Sequence, residues 1–401
     1  MPTHTTSVPS KRFPSWLIIL AALMALGALS IDMYLPSFGN IASDLGASIS
    51  HVQLTLASFL IGISCGQLFY GPVSDSYGRI KPLYVGITLY TVASLLCALA
   101  TQIEWLVFFR FLQGLGGCAG MVISRAVVRD KMGPEGSAKA FSMLMLVFGL
   151  APILAPLIGG GLLIIGNWRF IFFALTVYGA VCLISTYRSM AETVDVEYAP
   201  KLALGRVLRQ YWGLLRHKQF MSYVLCGGLL QAGMFTYISG SPFVLIELYG
   251  IKPQYFGFVF GINAIGLVIA SQINSRLLRK HSSAEILGKV LWIPAGLTVI
   301  VLICLVLGFD PLWLLLLCFF MYLSCYGFVS PNTSGIALAQ QGKQAGTASA
   351  LMGTLQFALG MVMGVTMSLW HDDTAKPLVA MMAICSALSL VLYQCVAKKT
   401  R

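Results

Sequence analysis

The sequence predicts an all-α membrane protein of twelve transmembrane helices arranged as two six-helix bundles. Three observations carry that prediction. Of the 401 residues, 58% are hydrophobic and only 10% are charged, against roughly 25% charged in a soluble domain. Apolar runs of about 20 residues, the length that crosses the hydrocarbon of a bilayer, recur from one end of the chain to the other. The longest polar stretch, near residues 188–219, falls in the middle with six runs on either side.

Taken one helix per run, the first half gives spans at 16–38, 52–73, 83–101, 105–125, 139–164 and 168–187. The second half gives 220–245, 255–275, 286–308, 312–336, 346–369 and 377–396. The predicted units are an N-terminal bundle (1–187), a cytoplasmic linker (188–219) and a C-terminal bundle (220–401). With the N-terminus placed in the cytoplasm, 22 of the 26 Lys and Arg residues fall in inner segments, 3 in outer loops (Arg169, Lys252, Lys376), and Arg110 within a span. That asymmetry is the positive-inside pattern. It puts both termini on the cytoplasmic side of the cell inner membrane and makes the formal charge of +12 a membrane-facing feature. Nucleic acid is not a predicted partner; the lipid bilayer is.

Lys11 and Arg12 precede the first run without a small-residue cleavage site, so that run reads as an uncleaved span. Within the linker, Leu202, Leu204, Val207, Leu208, Tyr211, Trp212 and Leu215 recur at helical spacing among Arg206, Arg209, Arg216 and Lys218. This predicts an amphipathic helix on the inner membrane surface, with a plain solvated linker as the alternative.

The ten cysteines lie inside apolar runs, with no C-x-x-C and no metal-ligand spacing to histidine. They read as small apolar residues. The five histidines are scattered, and neither H-E-x-x-H nor G-x-x-x-x-G-K-[ST] occurs. No metal, cofactor, enzymatic site or ATP-driven motor is predicted. A weak echo at an offset of about 200 residues pairs Gly66 with Gly266, Gly71 with Ser271, and Arg79 with Arg279. Two parallel repeats around a central cavity are a common plan of secondary transporters.

After span 2 the chain reads Gly71-Pro72-Val73-Ser74-Asp75-Ser76-Tyr77-Gly78-Arg79-Ile80-Lys81. Gly71 and Gly78 permit a tight turn with positive φ, and Asp75 is in reach of Arg79. In span 4, Arg110 begins Arg110-Phe111-Leu112-Gln113-Gly114. A guanidinium at that depth is costly, so its default reading is functional, with a fixed strut bonded to carbonyls as the alternative. Asp32 alone of the fourteen acids lies clearly inside a run, and its depth in span 1 matches that of Arg110 to within a few ångströms. Low dielectric favours a protonated carboxyl, while a neighbouring guanidinium favours the carboxylate. The expectation is therefore an Asp32–Arg110 pair whose separation switches a proton; a static Asp32 bonded to its own helix is the alternative. Span 5 carries Gly149, Pro152, Pro156, Gly159, Gly160 and Gly161, where prolines bend the helix and glycines smooth one face.

These segments resemble motifs of the major facilitator superfamily. The span 2–3 loop is similar to G-x-x-x-D-x-x-G-R-[RK], a gating loop formed here by Gly71, Asp75, Gly78 and Arg79, although Ile80 separates Arg79 from Lys81. The Arg110 stretch is similar to R-x-x-Q-G, whose arginine the resemblance links to proton transfer. Span 5 resembles the antiporter motif G-x-x-x-[GA]-P-x-x-G-G, which implies export. The runs Leu29–Pro36 and Gly66–Pro72, with Phe235–Pro242 and Ala345–Ser349, look like the bicyclomycin-resistance (Bcr/CflA) subfamily. That resemblance implies the major facilitator fold, acting as a monomer in proton-coupled efflux of small-molecule drugs. A proton-coupled importer or a sugar or metabolite exporter of the same fold is the alternative. Tyr34, Gln113, Tyr237, Asn263 and Gln356 are candidate cavity residues, although amides in spans also serve simply to join helices.

Overall fold

The computed structural model describes residues 14–132, 134–193, 203–339, 341, 344–370 and 372–397. The expectations for both chain ends, including Lys11, Arg12, Lys398, Lys399 and Arg401, lie outside these residues, as do those for Lys201, Leu202 and Lys343. Among the described residues every regular element is helical. The spans run Ser15–Asp32, Ile49–Tyr77, Ile80–Leu99, Ile103–Lys131, Pro134–Ile165 and Arg169–Ser189, then Lys218–Pro242, Pro253–Leu277, Ser283–Val306, Leu312–Ala339, Ala345–Leu369 and Lys376–Leu392. Among the described residues eleven helices are long and apolar enough to cross a bilayer, and Gly149–Ile165 adds an apolar stretch within span 5.

Three departures from the expected spans have local causes. Span 1 ends at Asp32; the chain bends at Met33–Tyr34, forms a tight turn at Leu35–Ser37 and starts a short helix, Phe38–Asp44. Pro36 lacks an N–H and disfavours helical backbone at the residue before it. Span 9 is split into Ser283–Val290 and Trp292–Val306, because Pro294 removes the N–H that would meet the Val290 carbonyl. Span 2 continues through Pro72 to Tyr77, so Gly71 lies inside a helix rather than in the turn. Nothing stands within 4 Å of a side chain built at Gly71. The reversal is made by Gly78 alone, at φ 85°, a conformation that glycine adopts without steric cost.

Spans 1–6 pack on one another as one bundle and spans 7–12 as a second. Span 4 packs closely on spans 1 and 2, where glycines let backbones touch: a side chain at Gly114 would strike the Phe59 carbonyl of span 2, and one at Gly120 the Leu23 carbonyl of span 1. Two long seams join the bundles, span 2 against span 11 and span 5 against span 8. The first is bonded along its length. Ser368 donates to the Ser50 carbonyl (2.8 Å), Ser64 to the Thr354 carbonyl (3.0 Å), and Thr354 to the Ser64 carbonyl (3.3 Å). The second is built on glycine, with Gly257 against Pro156 and Leu157, and Gly160 against Pro253 and Gln254.

The linker helix, Leu204–Arg216, lies at the molecular end that carries Arg79, Lys81 and Arg129, here called the basic face. Tyr211 donates to the Leu68 carbonyl of span 2 (3.2 Å), and Thr347 of span 11 donates to Gln210 (3.4 Å). One helix thus touches both bundles. Leu208 and Trp212 are exposed, and the Arg216 guanidinium lies 4.7 Å from the Trp212 ring.

Candidate functional site

Arg110 is completely buried in the first bundle. Its guanidinium carbon stands 4.3 Å from the ring centre of Tyr34 and 4.3 Å from that of Phe59, with Phe172 at 5.7 Å. Such stacking is worth about 2 kcal/mol or more when desolvated. Gln113, one turn along span 4, accepts from Arg110 at 2.6 Å and donates to Ser94 of span 3 at 2.8 Å. Nε and one terminal nitrogen of Arg110 have no hydrogen-bond partner. Gln113 is therefore a clamp on the guanidinium and on span 3.

The expected Asp32–Arg110 ion pair is not formed. Asp32 is buried, 4% exposed, and has no ion pair or hydrogen bond among the described residues. The cause lies at the bend of span 1. Tyr34, not Asp32, turns its ring onto Arg110, and its hydroxyl meets Thr55 at 3.3 Å. Tyr34 lies beyond the end of the helix, so the bend and not helical spacing from Asp32 sets the direction of its ring. The turn that follows Asp32, Leu35–Ser37, packs against spans 7 and 8 of the second bundle.

Tyr237 and Asn263, expected as cavity residues, meet one another. The Asn263 amide donates to the Tyr237 hydroxyl at 2.8 Å, and the Tyr237 ring lies between Phe260 and Phe319, with centroids at 5.6 and 5.0 Å. The structure thus brings Tyr237 and Asn263 together in the second bundle, and Tyr34, Gln113 and Arg110 together in the first. Gln356 joins neither group: it is half-buried on span 11 and lies beside Gly228.

In span 5 the prolines sit inside a continuous helix, Pro134–Ile165. A side chain at Gly159 would overlap the Met33 carbonyl at the bend of span 1, while Gly149 faces Val268 of span 8 at 3.5 Å. The motif therefore touches the chain next to Asp32 and the seam between bundles.

At the basic face, Arg79 is buried and ringed by acceptors. It donates to Asp130 at 2.8 Å, to Ser74 at 2.9 Å and to Asp75. Burial works against the charge of Arg79, but hydrogen bonds and attraction from Asp130 and Asp75 outweigh it and hold the group above its ordinary range. Glu192, just past span 6, accepts from the backbone N–H groups of Arg79 (2.8 Å) and Ile80 (3.0 Å). It caps the start of span 3 with a negative charge, where the exposed N–H groups favour one. Sequence reasoning missed both Asp130 and Glu192. They read as loop or span-end acids, and only the fold brings them beside Arg79.

The description "Major Facilitator Superfamily" matches residues 18–365. The chain belongs to the major facilitator superfamily. Over 94% of its length it is 38% identical to the MFS-type transporter YdgK of Bacillus subtilis (strain 168), covering 93% of that protein. It is 32% identical to a bicyclomycin resistance protein homolog of Haemophilus influenzae, over 94% of this chain and 95% of the relative. It is 29% identical to the multidrug resistance protein MdtL of Escherichia coli (strain K12), over 95% of both. These relatives place it in the bicyclomycin-resistance branch of the superfamily, among transporters rather than enzymes. The fold is shared with a crystallised D-xylose–proton symporter at a TM-score of 0.74 and 14% identity, over 95% of this chain and 97% of that one. Within the superfamily, the buried cation of span 4 and the Arg79 loop now have defined neighbours.

Proposed function

We propose that this chain exports small drugs, antibiotics among them, across the bacterial inner membrane in exchange for protons. The basic face is read as cytoplasmic from the positive-inside count, which puts both termini in the cytoplasm; 188–219 is read as the linker between bundles 1–187 and 220–401, and the unit as a monomer. The observation that carries coupling is Asp32. It is a buried carboxyl with no counter-ion among the described residues, at a backbone bend that packs on Gly159 of the antiporter motif and on spans 7 and 8.

A charged group in that position is costly unless it is neutralised. A proton or a cationic cargo does this equally well, and only one fits at a time. Competition for a single acid is what an exchanger needs. Arg110, stacked between aromatic rings, acts in this reading as a fixed charge that shapes the first bundle and biases the site's field. Rocking of the bundles about the two seams then presents Asp32 to one side and the other. One proton moving down 100 mV supplies about 2.3 kcal/mol, to which the pH gradient adds.

The test uses everted vesicles with an imposed pH gradient. Wild type accumulates a fluorescent drug as the gradient is applied, while Asp32→Asn folds and inserts but shows no gradient-driven uptake. Intact coupling in that variant removes Asp32 from the mechanism. Drug leaving everted vesicles would instead support the importer reading.

A further inference from the structure

We infer that Arg125 is a recognition site for an anionic group, so that the cargo reached from the basic face includes small amphipathic organic anions such as aromatic carboxylates and sulfonates. This rests on the efflux reading only for the word cargo; the anion site stands on geometry.

Arg125 lies in span 4, six residues before Lys131 ends that helix, or about 9 Å inside the helix end. It is fifteen residues from Arg110 and belongs to neither the Arg110 cluster nor the Arg79 cluster. The face it presents follows from its helix neighbours. Cys118, two turns back and nearly in register, lies against Gly66 of span 2. Arg129, one turn on, reaches past the end of span 2, where its guanidinium lies 3.7 Å from a side chain built at Gly346 of span 11. Arg125 stands between those two turns and therefore lies on the side of span 4 that faces spans 2 and 11. It does not look into lipid, so snorkelling to head groups does not explain it.

Arg125 is solvent-accessible in this position and has no ion pair or hydrogen bond among the described residues. The described acids at this end are engaged elsewhere: Asp75 and Asp130 on Arg79, Glu192 on the start of span 3, and Glu285 with His281. Arg129 adds a second positive charge on the same face, with Asp130 only at 4.0 Å. An uncompensated guanidinium within a transmembrane segment is a functional position by default, and its planar fork fits a carboxylate or sulfonate oxygen pair. Arg125 and Arg129 together give this face of span 4 a positive charge that the described acids leave uncompensated.

The test uses two dyes that differ by one sulfonate, 1-anilinonaphthalene-8-sulfonate and N-phenyl-1-naphthylamine. Each is titrated by fluorescence against purified full-length protein in uncharged vesicles. We expect Arg125→Gln to weaken binding of the sulfonate at least tenfold, with Arg125→Lys in between and the neutral dye unchanged within twofold. Unchanged sulfonate affinity in Arg125→Gln overturns the inference. So does an equal loss for both dyes, which marks a structural role. Binding needs no gradient, so a protein that holds the sulfonate through Arg125 yet exports neither dye sinks the efflux reading and leaves this site standing.

Discussion

Gly257→Ala tests whether the seam between spans 5 and 8 sets the balance between conformations. A methyl group at Gly257 meets the Leu157 backbone nitrogen and Cδ2 at 2.8 Å and the Pro156 carbonyl carbon at 3.0 Å. Ordinary contact between heavy atoms lies near 3.5–4.0 Å, so the helices must separate by about 0.7 Å at this point. Two of the three atoms met are backbone, so rotamer changes cannot relieve the clash. Overpacking of this kind costs about 1–3 kcal/mol, and the loss falls on the conformation in which the seam is closed. Each 1.4 kcal/mol changes a population ratio about tenfold. The control is one turn on, where a methyl at Gly261 meets Ile153 at 3.5 and 3.9 Å and fits. Both changes gain the same helix propensity, up to about 1 kcal/mol, so their difference isolates the wedge. Hydrogen exchange read by mass spectrometry on vesicle-embedded protein is the assay. Gly257→Ala should raise exchange in peptides covering Pro156–Ile165 and Pro253–Gly257, and Gly261→Ala should not. Equal exchange in the two variants would refute the claim that this contact holds the seam.

Two further outcomes follow from the geometry. Ser368→Ala removes one of the bonds along the span 2–11 seam, worth about 0.5–1.5 kcal/mol. The same exchange assay should show faster opening near Ser50 with no change at Pro253, and a protection pattern identical to wild type would count against it. At the basic face, Asp130→Asn should lower thermal stability in detergent more than Asp75→Asn. The Asp130 side chain is 18% exposed against 52% for Asp75, and the drier partner contributes more, within the roughly 1.5–3 kcal/mol of a charged hydrogen bond. The reverse order would mean that Asp75 carries the Arg79 contact.

Periodicity and charge made the architecture legible. A buried polar atom is so costly in lipid that every span must declare itself as an apolar run. Arg110 was legible for the same reason, since a guanidinium in hydrocarbon stands out. Its partner was not. Depth along a helix can be counted from sequence, but azimuth after a break cannot, and Pro36 breaks span 1 just where Asp32 and Tyr34 compete for the inward direction. The aromatic box joins Tyr34, a candidate cavity residue, to Phe59 and Phe172, which read in the sequence as ordinary apolar residues of spans 2 and 6. Gly71 misled because a glycine before proline reads as a turn, although the helix runs on to Tyr77. Glu192 gave no signal at all, because an acid three residues past a span looks solvated until the fold sets it on the first backbone groups of another helix.

The bonds along the span 2–11 seam end on carbonyl oxygens, and a carbonyl belongs to whatever residue occupies the position. Ser50, Ser64 and Thr354 could each be replaced without deleting the acceptor that the opposite helix uses. Ser50 only receives, so its side chain is free to change, whereas Ser64 and Thr354 also donate and need their hydroxyls. Homologous transporters can therefore keep this line of contact while the residues that supply only its carbonyls change.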